Sequence, residues 1–113
     1  MEITQELSEK IQELQMLERN LQAFSMEKQT LQVEINEISN ALSELSGSGE
    51  EVYKILGGLM VKSEKKALEK DLNGRKKILD LRIDAIEKQE KSAESKTDAL
   101  RAEINDKISA KKP

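Results

Sequence analysis

Cysteine and histidine are both absent from this 113-residue chain. That excludes disulfides, zinc sites built on thiolate or imidazole, and Ser-His or Cys-His nucleophile pairs. Tryptophan is absent too, and aromatics make up only 2% of residues, too little bulk for an ordinary globular core of this length. The sole proline is Pro113, so no proline interrupts long helices. No apolar run approaches the roughly 20 residues needed to cross a bilayer, so no membrane association is expected. The start, Met1-Glu2-Ile3-Thr4-Gln5, lacks the basic and apolar regions of a secretion signal, and a cytoplasmic location is the default. Gly57-Gly58 lacks everything else that a phosphate loop requires. The many carboxylates fall on solvated helical stretches, where nothing apolar shifts a pKa towards catalysis. The composition therefore predicts no enzyme, no catalytic residue, no cofactor and no metal.

What is abundant is charge, at 36% of residues, matched by a hydrophobic fraction of 36%. In the first segment the apolar residues recur at alternating steps of three and four. The series is Ile3, Leu7, Lys10, Leu14, Leu17, Leu21, Phe24, Lys28, Leu31, Ile35, Ile38, Leu42 and Leu45, apolar at all but the two lysines. That spacing is the seam of a left-handed coiled coil. Ser46-Gly47-Ser48-Gly49 is expected to stop the helix, with glycine in a left-handed cap. A second, weaker series follows: Leu72, Lys76, Leu79, Ile83, Ile86, Glu90, Ala93, Thr97, Leu100, Ile104 and Lys107. Ser63 is its expected N-cap, and Gly74 a soft point within it.

Run antiparallel, the two series match. Leu42 meets Leu72, Ile35 meets Leu79, Leu31 meets Ile83, Leu21 meets Ala93 and Leu14 meets Leu100. Each polar interruption faces an apolar partner: Lys10 meets Ile104, Lys28 meets Ile86, Phe24 meets Glu90, Leu17 meets Thr97, Leu7 meets Lys107 and Ile38 meets Lys76. The fold class is thus mainly α, a long antiparallel two-helix coiled coil in one domain over 1–113. Helix 1 spans 1–46, a linker and β-hairpin 47–62, and helix 2 63–112. Beside the seam, Ile78, Leu81 and Ala85 form a short second stripe, where contact with something else is expected.

Between the helices, two β-rich runs flank the Gly57-Gly58 pair, which suits a two-residue hairpin turn. Such a hairpin is apolar on both faces, and two strands cannot bury Val52, Ile55, Leu56, Leu59, Met60 and Val61 by themselves. Its edges also present unpaired backbone groups. A sheet or barrel shared among several subunits' hairpins resolves both problems. The predicted subunit interface is accordingly Val52, Tyr53, Ile55, Leu56, Leu59, Met60 and Val61, with Tyr53 read as a packing residue.

The order of helix, hairpin and returning helix, centred on Val52-Tyr53-Lys54-Ile55-Leu56-Gly57 and Leu59-Met60-Val61-Lys62, resembles the β-type subunit of prefoldin. Glu27-Lys28-Gln29-Thr30-Leu31 and Val33-Glu34-Ile35 are similar to that family as well, and the likeness covers essentially the whole chain. One hairpin rather than two resembles the β class, since α-type subunits carry two. The resemblance implies an ATP-independent holdase of two α-type and four β-type subunits, with the hairpins forming a double barrel. It further implies coiled-coil tips that hold unfolded client proteins and pass them to a group II chaperonin.

If the hairpin builds the body, both chain ends lie at the free end of the arm. Lys10 and Lys107 weaken the seam there, and helix ends fray. Ile3, Leu7, Ile11, Leu100, Ile104 and Ile108 are then the expected client-binding residues, weak singly and strengthened by multivalency. Ile11 and Ile108 lie off the seam and are expected to lack an intramolecular partner. The plain alternative for all six is ordinary seam packing. Two rival functions share parts of the pattern. An adaptor coiled coil without chaperone activity shares the seam but has no use for the apolar hairpin. A nucleic-acid arm could use Lys62, Lys65, Lys66, Lys70, Arg75, Lys76 and Lys77. Glu64, Glu69 and Asp71 interleave them, no aromatics offer stacking, and the net charge is −3, so no nucleic-acid partner is expected.

Overall fold

The computed structural model describes residues 4–110. Helix α1 (Gln5–Ser46) leads into strands β1 (Glu51–Leu56) and β2 (Leu59–Glu64), and helix α2 (Lys65–Ala110) follows. The chain divides into two compact units, one formed by Met1–Lys28 with Ala85–Pro113 and the other by Gln29–Asp84.

α1 starts where a cap is available. The Thr4 hydroxyl accepts the Leu7 amide at 3.1 Å, satisfying one of the free donors of the first turn, and Glu6 complements the helix dipole. Its other end is closed differently from the sequence expectation. Among the described residues only Gly57 and Gly58 have positive φ, so Gly47 forms no left-handed cap. Instead the Ser48 hydroxyl donates to Leu45 O at 2.8 Å, and the Lys65 ammonium donates to Ser48 O at 2.9 Å and Ser46 O at 3.5 Å. α1 has no basic residue in its own last turn, and Lys65 supplies the cation that the dipole favours there.

In the first unit the helices run antiparallel. Leu7, Leu100 and Ile104 form one buried cluster, with Ile86, Ala93 and Thr97 buried further along α2. Thr97 is 2% exposed, and its hydroxyl avoids an unpaired burial by donating to Ala93 O at 2.7 Å. In the second unit Leu31, Ile35, Leu45, Val52 and Leu79 are buried. Every described position of both predicted seams, polar ones included, is buried or half-buried. Burying a leucine contributes about 2 kcal/mol, so even so narrow a seam holds two helices together.

The hairpin occupies the second unit. β1 and β2 pair antiparallel, Val52 opposite Ser63, Lys54 opposite Val61, Ile55 opposite Met60 and Leu56 opposite Leu59. Gly57 (φ 53°) and Gly58 (φ 84°) make the two-residue turn, a conformation that a Cβ would disfavour at both positions. Strand β2 continues to Glu64, so Ser63 sits in the ladder and not at a helix N-cap. The ladder takes Ser63 because its partner Val52 is buried and anchors the strand.

Candidate functional site

Two groups of side chains stand out, one in each unit. On the hairpin, strand alternation and the cross-strand pairs define two faces. Tyr53, Ile55, Met60 and Lys62 share one face, and every one of them is exposed. Lys54, Leu56, Leu59 and Val61 lie on the other face beyond the Val52–Ser63 pair; only Lys54 is half-buried. Ile55, Leu59 and Met60 are 71%, 70% and 69% exposed, far beyond what a strand pair covered by its own chain would show. Lys62 makes a diagonal ion pair with Glu51 at 3.6 Å, relieving the like charges where Glu51 faces Glu64. Of the seven predicted interface residues, six are exposed. Val52 is the exception: it is buried within its own chain and serves the fold.

The predicted client-binding residues also come together, but they are covered. Leu7 is 1% exposed, and Leu100 and Ile104 are buried beside it. Ile11 and Ile108, expected to lack a partner, pack against this cluster and are half-buried. Each follows a seam lysine by one position, so both fall on one flank of the helix pair and widen the seam. Ile3 lies outside the described residues.

Charged groups rim the cluster. The Lys10 ammonium donates to the Glu103 carboxylate and lies 3.9 Å from Glu6, while Lys107 donates to Glu6 at 2.6 Å. Arg101 reaches Glu18 at 2.9 Å. The hydrogen bond that Lys10 donates to Glu103 holds its pKa above the ordinary lysine value of 10.5, against the opposing effect of partial desolvation. Deeper in the same unit Lys28 donates to Glu90 at 2.7 Å, and that bond likewise raises the Lys28 pKa. This pair revises the layer-by-layer expectation: Lys28 and Glu90 satisfy each other diagonally, and the apolar residues opposite them need not host a charge.

No group of three or more possible metal ligands occurs among the described residues, and no described helix is long and apolar enough to cross a membrane. Met16 and Met26 lie exposed on α1.

Two long helices joined by a single antiparallel hairpin define the class: a helix–hairpin–helix coiled-coil protein whose apolar strands lie open. The profile of the prefoldin subunit family matches residues 8–111. Prefoldin subunit beta of Saccharolobus islandicus is 38% identical over 106 residues, covering 92% of this chain and 84% of that protein. Its counterpart from Sulfurisphaera tokodaii is 36% identical, with 92% and 85% covered. The crystal structure of the prefoldin beta subunit from Thermococcus strain KS-1 superposes with a TM-score of 0.88 at 29% identity, covering 99% of this chain and 98% of that one. The chain belongs to the prefoldin subunit family, a family of chaperones, and the β-class likeness read in its hairpin is borne out. Prefoldin beta subunits form hetero-oligomers with other prefoldin subunits.

Proposed function

We propose that the chain is the β-type subunit of an ATP-independent holdase. In this reading it assembles with an α-type subunit, two α to four β, captures unfolded polypeptides and passes them to a group II chaperonin in the cytoplasm. The observation that carries the assembly half is the exposed hairpin: Ile55, Leu59 and Met60 need a cover that a single chain does not supply. An adaptor coiled coil would gain nothing from such strands. Hairpins joined edge to edge into a common barrel satisfy the backbone and the side chains together.

Client capture rests on the Leu7–Leu100–Ile104 cluster with Ile11 and Ile108. Because the cluster is closed, capture includes a local opening of the helix pair at that end. Helix termini open most cheaply, since their last backbone groups lack helical partners. The opened residues present a small apolar surface without a defined pocket, suited to clients of varied sequence. Several such surfaces in one assembly bind an unfolded chain far more tightly than one.

The test is suppression of client aggregation without nucleotide by the reconstituted complex, with a staple across the closed end. Since the chain has no native cysteine, Lys10→Cys with Glu103→Cys gives two thiols on facing helices, set apart by the lengths of the side chains removed and bridged by a bis-methanethiosulfonate spacer that reduction cleaves. Cross-linking should leave assembly intact and sharply reduce suppression, and reduction should restore it. Equal suppression by the stapled and reduced forms would remove this cluster from client binding.

A further inference from the structure

The closed end of the helix pair is held by two kinds of contact that answer to different conditions. Leu7, Leu100 and Ile104 hold it by apolar burial. The next seam position along each helix carries lysine instead, and both lysines bond across to the other helix. Lys10 of α1 donates to Glu103 of α2, and Lys107 of α2 donates to Glu6 of α1. Arg101 adds a further crossing to Glu18. Among the described residues, every ion pair between the two helices falls in this unit, and all but Lys28–Glu90 lie towards this end.

The geometry decides which of these charges respond to opening. Glu6 and Lys10 lie 3.9 Å apart on one helix, so that contact survives when the helices part. The Lys10–Glu103 and Lys107–Glu6 pairs cross the gap and must break. The lysine side chains are partly covered, at 20% and 32% exposure, but their partners Glu103 and Glu6 stand at 47% and 68%. Dissolved ions therefore reach both crossings and screen them. We infer that these two crossed pairs form a charge latch on the end of the helix pair, so that ionic strength sets how often the apolar cluster is uncovered. Taken with the reading of that cluster as the client-binding surface, on which this step rests, the latch makes client capture rise with salt. Apolar burial alone has the opposite sign, because salts excluded from the protein surface tighten it.

Reversing the charges of one helix at a time tests the latch. E6K/K10E keeps unlike charges one turn apart on α1 and leaves the net charge unchanged, but sets like against like at both crossings. E103K/K107E does the same from α2. All four changes together restore attraction across the gap. In the full chain assembled with an α-type partner, hydrogen exchange without client should quicken about tenfold over residues 7–17 and 100–108 in each half-reversal. The four-fold variant should return to within about twofold of the parent. Loss of helix-dipole complement cannot mimic this order. Glu6 is the first-turn acid of α1 and Lys107 the last-turn base of α2, so on that account the four-fold variant would be the most open of the three. Raising sodium chloride from about 0.05 M to about 0.5 M should speed exchange in the parent and slow it in both half-reversals. Suppression of client aggregation should follow the exchange in all four proteins. Helicity is checked by circular dichroism; if a half-reversal unfolds, E6Q/E103Q removes both crossings without repulsion, and its exchange should quicken less and lose its salt dependence. Exchange indifferent to the charges, or a four-fold variant more open than either half, would overturn the latch. Exchange that obeys the pattern while suppression stays constant would instead remove the cluster from client binding, and with it the control of capture by salt.

Discussion

The chain holds two apolar clusters that meet opposite fates. Around Leu7, Leu100 and Ile104, each helix covers the other and ion pairs close the rim. On the hairpin, Ile55, Leu59 and Met60 stay open, though their side chains are as apolar as those of the first cluster. Hydrophobicity alone does not separate them. The difference is whether the covering partner lies in the same chain. A seam repeating every three and four residues has its partner in the returning helix. A two-stranded ladder with apolar residues on both faces has none.

That contrast can be broken experimentally, and the hairpin should give the largest effect. I55K/M60K places two ammonium groups opposite each other on the exposed face. Light scattering with an α-type partner should show assembly lost, while far-ultraviolet circular dichroism stays that of the parent chain. Normal assembly would mean the open strands are not the joint. The closed cluster should respond the other way. Leu7→Ala should cost about 2–3 kcal/mol in denaturant unfolding, near the low end for a buried leucine because one end of the pair can relax. Assembly should persist, and a loss below about 0.5 kcal/mol would show the cluster to be open in solution.

Smaller effects sharpen the same comparison. Gly74 sits inside α2 with ordinary helical backbone, and an added Cβ would meet no atom within 4 Å. Gly74→Ala should therefore stabilise the chain by about 1 kcal/mol, whereas Gly58→Ala, at φ 84°, should destabilise the hairpin by about 1–2 kcal/mol. Reversed signs would place the backbone demand in the wrong glycine. The smallest effect is electrostatic. Lys28 is raised above 10.5 by its bond to Glu90, so its contribution is fully present below that value and is lost as pH rises through the higher folded-state value. The difference in Tm between the parent and Lys28→Gln should hold steady from neutral pH up to about 10 and shrink above 10.5. A difference that shrinks already near pH 8 would assign it to another group.

Much of this was legible in the sequence, for reasons that differ from part to part. The seams were legible because a repeat of 3.5 residues fixes which face is covered, and Lys10, Lys28 and Glu90 held their places in it despite their charge. The hairpin was legible because two adjacent glycines between β-rich runs leave few other conformations. Periodicity does not reveal how far a long side chain reaches. The Lys28–Glu90 pair is diagonal, and only the opposite signs hinted at it. Lys65 closes the end of a helix 19 residues earlier, a contact with no sequence pattern at all. Ile11 and Ile108 were misjudged because strict seam positions ignore the flank, which near that end is wide enough to shelter both.

The two-glycine turn also works as a key for everything the strands display. With Leu56 locked opposite Leu59, the pleat alone decides that tyrosine and isoleucine share a side while valine and lysine take the reverse. A turn one residue longer, with both strand sequences unchanged, would let one strand slip a step past the other and turn its two faces over. The identity of the surface offered to neighbouring subunits is in this sense written in the length of a loop.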